Sequence, residues 1–156
     1  MKFRHQILVL LLATGIGQAG AAELRLHATL NGSNVVSATD SKATGEATAV
    51  LDDAGKLRIN LVFGGLASGV TGASLHTGTS AENGPVATPL DVREDQTAGA
   101  IVDAQLNLSE EVAQRMRDGE TYIVITTVDH PAGAIRGQLI PQPVRLGDEV
   151  EPEEVY

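Results

Sequence analysis

The chain has no cysteine, only 3% aromatic residues and no long hydrophobic run in its 156 residues. Without cysteine it can form neither a disulfide nor a thiolate metal site, and it carries no cysteine nucleophile. With two Phe, two Tyr and no Trp, a core has to be built from Val, Leu, Ile and Ala. Hydrophobic residues still make up 42% of the chain, so the composition is that of a folded domain.

Basic residues are also scarce. Lys and Arg number 11 against 20 Asp and Glu, which gives a net charge of −9. Removal of Lys2 and Arg4 with an N-terminal leader would leave 9 basic against 20 acidic residues, a net charge of −11. Such a chain repels phosphate backbones and anionic lipid surfaces, so nucleic acid and membrane surfaces are not expected partners.

Residues 1–22 have the pattern of a secretory signal peptide. A short basic head precedes the apolar run Ile7–Ala13, and small residues allow cleavage after Ala21 or Ala22. A membrane anchor would need about 18 to 20 continuous apolar residues, and the glycines that follow the run interrupt it. No cysteine follows the run, which excludes a lipoprotein anchor. The pattern therefore predicts export, to the periplasm or beyond, with no membrane span.

The rest of the chain alternates apolar and polar residues in short segments between glycine-rich turns, as β-strands with one buried face do. Leu24–Leu30 is the first such segment. Residues 43–51 and 56–63 flank the turn Asp52–Gly55, an arrangement that predicts a hairpin. Further strands are predicted over 73–78, 86–92, 99–108 and in two parts within 122–139.

One short helix is predicted over residues 109–118. Ser109 is a suitable N-cap, acidic residues follow it, basic residues close the helix, and Gly119 fits the position after its end. Val112 and Met116, four residues apart, would form its buried side. Together the segments predict an all-β domain over residues 23–141, an antiparallel Greek-key-like β-sandwich or barrel with one short helix.

The segment that follows, Gln142–Tyr156, is rich in Asp, Glu and Pro. Such a composition cannot bury enough apolar surface to fold, so we expect a disordered acidic tail. The tail would act as a solubilising segment or as a binder of cations or a basic partner.

Two motifs stand out in the predicted domain. Tyr122–Leu139 contains a β-branched strand, the turn His130–Gly133 and a second strand interrupted by Gly137. Earlier, Ala73-Ser74-Leu75-His76-Thr77-Gly78 is followed by Gly84-Pro85-Val86.

Both motifs resemble those of the CHRD domain, the module named after chordin. Ser74 and Thr126 stand where that family usually has His, and Ala134 stands where it usually has Glu. The resemblance implies an extracellular β module whose molecular role is poorly defined. The positions of the later motif that fit are Tyr122, Thr127, Pro131, Gly133, Ile135, Arg136, Gly137 and Gln138.

The resemblance also suggests candidate binding residues. Histidines at the positions of Ser74, His76 and Thr126 would converge in the family if the two strands are neighbours, and Ser74 and His76 share a face by the two-residue period. A lone His76 cannot hold a metal ion, because stable sites need three or four protein ligands, so no metal or other cofactor is expected. Arg136, with Ala134 in place of the family's Glu, should bond another carboxylate, a backbone carbonyl or solvent, or else be a surface charge without a role.

Three functional classes remain. The preferred one is an exported, non-catalytic binding or structural module for an unidentified protein or extracellular ligand, in an unknown oligomeric state. The second is a metal-binding protein or enzyme similar to copper/zinc superoxide dismutases, which share the order of the Gly-rich turn, the His motif and a late Gly-x-Arg-x-x-Gly strand; the missing histidines disfavour it. The third is a hydrolase, for which no Gly-x-Ser-x-Gly motif is present.

Overall fold

The computed structural model describes residues 22–143. These residues form nine strands and one α-helix, and no helix among them is long and apolar enough to cross a membrane. Residues 1–21 of the predicted signal peptide and residues 144–156 of the predicted acidic tail lie outside the described residues, so both segments stay predictions. The elements are β1 Leu24–Asn31, β2 Thr44–Leu51, β3 Lys56–Gly64, β4 Val70–Thr77, β5 Val86–Leu90, β6 Gly99–Asn107, α1 Glu110–Arg117, β7 Thr121–Thr127, β8 Ile135–Gln138 and β9 Ile140–Pro141, with a 3-10 turn at Gly32–Asn34.

All the strands pair antiparallel, in the order β5-β4-β7-β8-β1-β2-β3-β6, and β9 continues alongside β1. The pairs β4–β7, β1–β8 and β3–β6 join strands that are distant in sequence, so the chain crosses between the halves of the sheet. The sheet curls into a nearly closed barrel or sandwich. The predicted all-β fold class is therefore confirmed.

In the hairpin of β2 and β3, the alternation of apolar and polar residues decides which side chains are buried. Leu57, Ile59 and Leu61 are fully buried, while the alternating Arg58 and Asn60 are exposed. Leucine, isoleucine, valine and alanine side chains supply nearly all of the core, as the shortage of aromatic residues requires.

The helix forms where it was predicted, but its buried side differs. Ser109 Oγ accepts a hydrogen bond from the Val112 backbone N–H at 3.3 Å, and Gly119 has a φ of +75°. Val112 is only half-buried, so its predicted place in the buried stripe is wrong; Ala113 and Met116 are fully buried instead. The two buried residues of this short helix are thus three positions apart, not four as predicted.

Gly137 does not break the last strand, contrary to the sequence-based expectation. It lies inside β8, which pairs with β7 on one side and with β1 on the other, and the break before β9 falls at Leu139. A Cβ at Gly137 would lie 2.8 Å from both the Leu30 Cγ and the Thr29 carbonyl oxygen. The glycine is therefore needed for the close approach of β8 to β1.

We expect Gly137→Ala to lower the free energy of unfolding by about 1 to 3 kcal/mol, because the added methyl group overpacks the contact with β1. Gly64→Ala is the control, since a Cβ there meets only the Ala98 Cβ at 3.5 Å. Chemical denaturation of both variants measures the difference. Equal stabilities of the two variants would contradict this account of Gly137.

Candidate functional site

The motif residues lie on the outward face of three adjacent strands, β4, β7 and β8. On β4, Leu75 points into the core, so Ser74 and His76 point outward. The register then places matching side chains side by side across the strands: His76 opposite Tyr122 and Gln138, and Ser74 opposite Val124 and Arg136.

Part of this outward face is covered. Tyr122 is 1% exposed and Arg136 is 2% exposed, although neither points into the main core. Residues 78–84, which connect β4 to β5 and are here called the covering loop, bond to the side chains of these strands from above. A polar layer is thus enclosed between the sheet and the covering loop.

His76 has both ring nitrogens engaged. Nδ1 lies 3.0 Å from the Gly84 carbonyl oxygen, and Nε2 lies 2.9 Å from Ser74 Oγ. Because a carbonyl oxygen only accepts, Nδ1 carries the proton; in the neutral ring Nε2 accepts from the Ser74 hydroxyl. The ring also stacks on Tyr122, with centroids 5.0 Å apart and planes 18° apart.

Tyr122 holds the same end of the covering loop. Its hydroxyl oxygen accepts a hydrogen bond from the Gly84 N–H at 2.8 Å and lies 3.3 Å from the Gly84 carbonyl oxygen. Gly84 is therefore bound by the histidine and the tyrosine together.

Arg136 is buried and bonded, so the surface-charge alternative for this residue is wrong. Nη1 donates to the Glu82 carbonyl oxygen at 2.9 Å and to Asn83 Oδ1 at 3.4 Å, and Nη2 donates to the Thr79 carbonyl oxygen at 2.6 Å. The guanidinium carbon lies 3.5 Å from the centre of the Tyr122 ring, a cation–π contact. Burial lowers the pKa of Arg136, an effect that the nearby Tyr122 and Glu82 partly offset.

Ala134 does not share this face. It precedes β8 and packs with the hydrophobic core, so the two-residue period that joins Arg136 to Gln138 does not extend to it. Backbone carbonyls of the covering loop, one of the alternatives expected from the sequence, take the place of a neighbouring carboxylate.

Gln138 ties two further segments to the sheet. Its Nε2 donates to the Gly78 carbonyl oxygen at 2.9 Å and to the Gly119 carbonyl oxygen at 2.8 Å. These two acceptors fix the orientation of the amide, and Oε1 is left buried with no hydrogen-bond partner among the described residues.

Thr126 lies farther along the face. It is paired with Gly72, two residues before Ser74 on β4. Its hydroxyl group is hydrogen-bonded to Thr71 Oγ1 at 3.0 Å and to the Gly72 carbonyl oxygen at 3.3 Å. The structure thus joins Ser74 directly to His76, connects His76 to Arg136 through Tyr122, and leaves Thr126 without a bond to the other candidates.

A cleft of about 360 Å³ opens beside this layer, and we call it the Arg136 cleft. Residues 33–36 form one wall, Ser80 and Ala81 of the covering loop form the other, and Arg136 and Gln138 also line it. Sequence reasoning did not find the cleft, nor the roles of Tyr122 and Gln138. Both residues stood in the recognised motif, but their contacts depend on where the two loops lie.

The site has little capacity for a metal ion as it stands. Among residues 22–143, no three His, Cys, Asp or Glu side chains are grouped as a metal site requires. The contact of Ser74 Oγ with His76 Nε2 at 2.9 Å has the geometry of a nucleophile and its base.

A family model for the CHRD domain matches residues 26–139, which is most of the chain and covers both motifs. No curated protein and no solved structure matches the chain.

We expect Arg136→Ala to lower the free energy of unfolding by about 3 kcal/mol or more, because it leaves a cavity and orphans the acceptors of the covering loop. The matched control is Arg58→Ala: Arg58 is exposed and pairs with Glu23 at 3.2 Å, a contact expected to contribute about 0 to 1 kcal/mol. Urea titration of both variants tests this. A loss for Arg136→Ala no larger than for Arg58→Ala would mean that the buried guanidinium does not stabilise the fold.

The double change Ser74→His with Thr126→His should create a site for Cu²⁺ or Zn²⁺. The change at position 74 removes the present partner of His76 Nε2. The imidazole at position 126 would lie diagonally across from position 74, and such neighbours on adjacent strands are about 7 to 8 Å apart. Calorimetric titration should show one-to-one binding by the double variant, weaker binding by each single variant, and no stoichiometric binding by the wild type. Tight binding by the wild type, or no gain in the double variant, would contradict this interpretation of the three positions.

Proposed function

We propose that this chain, which belongs to the CHRD domain family, is an exported, non-catalytic binding module. Its outward polar layer is a scaffold that holds the covering loop in place, and the Arg136 cleft beside that loop is the surface that meets a ligand. The family assignment rests on the match over residues 26–139.

The state of His76 is the observation that argues against a metal centre. Its Nδ1 proton is committed to the Gly84 carbonyl and its Nε2 to Ser74, and its ring is stacked on Tyr122. A metal ligand needs a nitrogen whose lone pair is free to meet the metal, and the Nε2 lone pair of His76 already accepts from Ser74. The neighbouring Arg136 likewise donates three hydrogen bonds to the covering loop.

A hydrolase is the second candidate, since Ser74 Oγ lies 2.9 Å from His76 Nε2, and nucleophile–base pairs have this geometry. Such an enzyme also needs free N–H donors that face the developing oxyanion. Ser74 lies within β4, which pairs with β5 on one side and β7 on the other. The backbone N–H groups around Ser74 are therefore committed to strand pairing. This observation favours the scaffold over a hydrolase and carries the non-catalytic part of the proposal.

The support for export is the sequence of residues 1–22, with its basic head, short apolar run and small residues before the cleavage positions. An absence of cysteine is compatible with this, because the domain can be held by its buried core and by strand pairing alone.

Purified protein should be unreactive towards a fluorophosphonate probe, which modifies activated serine nucleophiles, and elemental analysis should find no stoichiometric metal. A known serine hydrolase serves as the positive control, and Ser74→Ala as the matched variant. Labelling of the wild type that Ser74→Ala abolishes would make the protein a hydrolase. One tightly held metal ion per chain would overturn the non-catalytic proposal in favour of a metalloprotein.

Expression of the full chain in a bacterial host should yield a processed protein outside the cytoplasm, with Ala22 or Glu23 as its first residue. Cell fractionation followed by N-terminal sequencing measures this. Replacing the apolar run Ile7–Ala13 by polar residues is the control and should hold the unprocessed chain inside. An unprocessed wild type in the cytoplasm would contradict export.

A further inference from the structure

The Arg136 cleft contains a buried cation that forms no ion pair with a described residue. Five ion pairs occur among residues 22–143, and their basic members are His27, Arg58, Arg115, Arg117 and His130. Arg136 is in none of them, although it is 2% exposed. Its three acceptors in the covering loop are all uncharged. A buried charge is normally balanced by an opposite one.

The guanidinium also has donors to spare. Arginine has five N–H groups, and the three hydrogen bonds to the covering loop use both protons of Nη1 and one of Nη2. The Nε–H and one Nη2–H bond to no described residue. Two parallel N–H groups of a guanidinium match the two oxygens of a carboxylate.

The other cleft residues select what can accompany that carboxylate. Ser33, Asn34 and Ser80 line the walls with hydroxyl and amide groups. Hydroxyl groups on a ligand can both donate to and accept from such a lining. At about 360 Å³ the cleft is at the small end of ligand sites, the size for one compact molecule.

We propose that the Arg136 cleft binds a small polyhydroxylated carboxylate, of which a sugar acid is the simplest representative. The carboxylate meets the unused edge of Arg136, and the hydroxyl groups meet Ser33, Asn34 and Ser80. This inference rests on the proposed binding function and names the ligand class of that module.

Glu82 is the charge that opposes this binding. Its carboxylate is close enough to raise the pKa of Arg136, but it forms no ion pair with it: Oε1 accepts the Thr79 N–H at 3.1 Å instead. Glu82→Gln keeps an oxygen for that hydrogen bond and removes the negative charge beside the guanidinium. Loss of this charge should strengthen the binding of an anion and leave the binding of a neutral sugar unchanged.

The experiment is a two-dimensional NMR titration of the full mature protein with D-glucuronate, with D-glucose as the neutral counterpart and butyrate as the carboxylate without hydroxyl groups. Glucuronate should give saturable shifts of the amides of residues 33–36 and of Ser80 and Ala81, and bind about tenfold or more tightly than glucose, since a charge-assisted pair replaces a neutral contact. Butyrate should bind more weakly than glucuronate.

Three variants locate the site without removing Arg136. Ala81→Trp fills the cleft and should abolish the shifts, whereas Ala54→Trp, the same change at an exposed turn, should leave them intact. Glu82→Gln should tighten glucuronate binding severalfold and leave glucose unaffected.

Glucose and glucuronate binding equally, or glucuronate binding that Ala81→Trp does not reduce, would overturn the proposal. Absence of saturable glucuronate shifts would overturn it as well. None of these results would bear on the non-catalytic part of the proposed function, which is overturned by labelling of Ser74 with the probe or by a tightly held metal ion.

Discussion

The buried guanidinium of Arg136 is the contact on which the outward face of this domain depends. It stacks on Tyr122 and reaches three oxygen atoms of the covering loop, while Tyr122 and His76 both hold Gly84 at the end of that loop. Side chains from β4, β7 and β8 thus converge on one connection. A positive charge serves this role well because a fork of N–H donors can satisfy several carbonyls at once. A hydrophobic side chain at this position would leave those carbonyls buried without donors.

The same contacts show how the three motif positions are used among the described residues. Ser74 occupies the place of a second histidine and gives His76 Nε2 a hydroxyl partner. Thr126, at the third position, bonds to Thr71 and Gly72. Each substituted residue has a local hydrogen-bond partner. A polar network of this kind rigidifies the structure around it.

The sequence predicted most of the strands, because their two-residue alternation reports directly which side chains are buried. Leu57, Ile59 and Leu61 are an example. It also predicted both ends of the helix, since the caps are local. It failed where packing between distant segments decides: Ala113 replaces Val112 in the helix contact, and Gly137 serves close approach rather than a break. The candidate site was predicted only as a set of residues. Its covering loop and cleft depend on long-range register and loop placement, which alternation does not encode.

The covering loop has a consequence for the order in which the domain becomes structured. Arg136 bonds to residues 54 and 57 positions earlier in the chain, and Gln138 to Gly78, 60 positions earlier. Because a chain is synthesised from its N-terminus, the loop emerges well before the strand that secures it. Closing contacts over such separations is slow compared with forming a hairpin. Until β8 docks, the connection between β4 and β5 lacks its hydrogen bonds to Arg136 and Gln138. Strand β8 therefore secures the covering loop, and a nascent chain that ends before β8 has an incomplete polar layer.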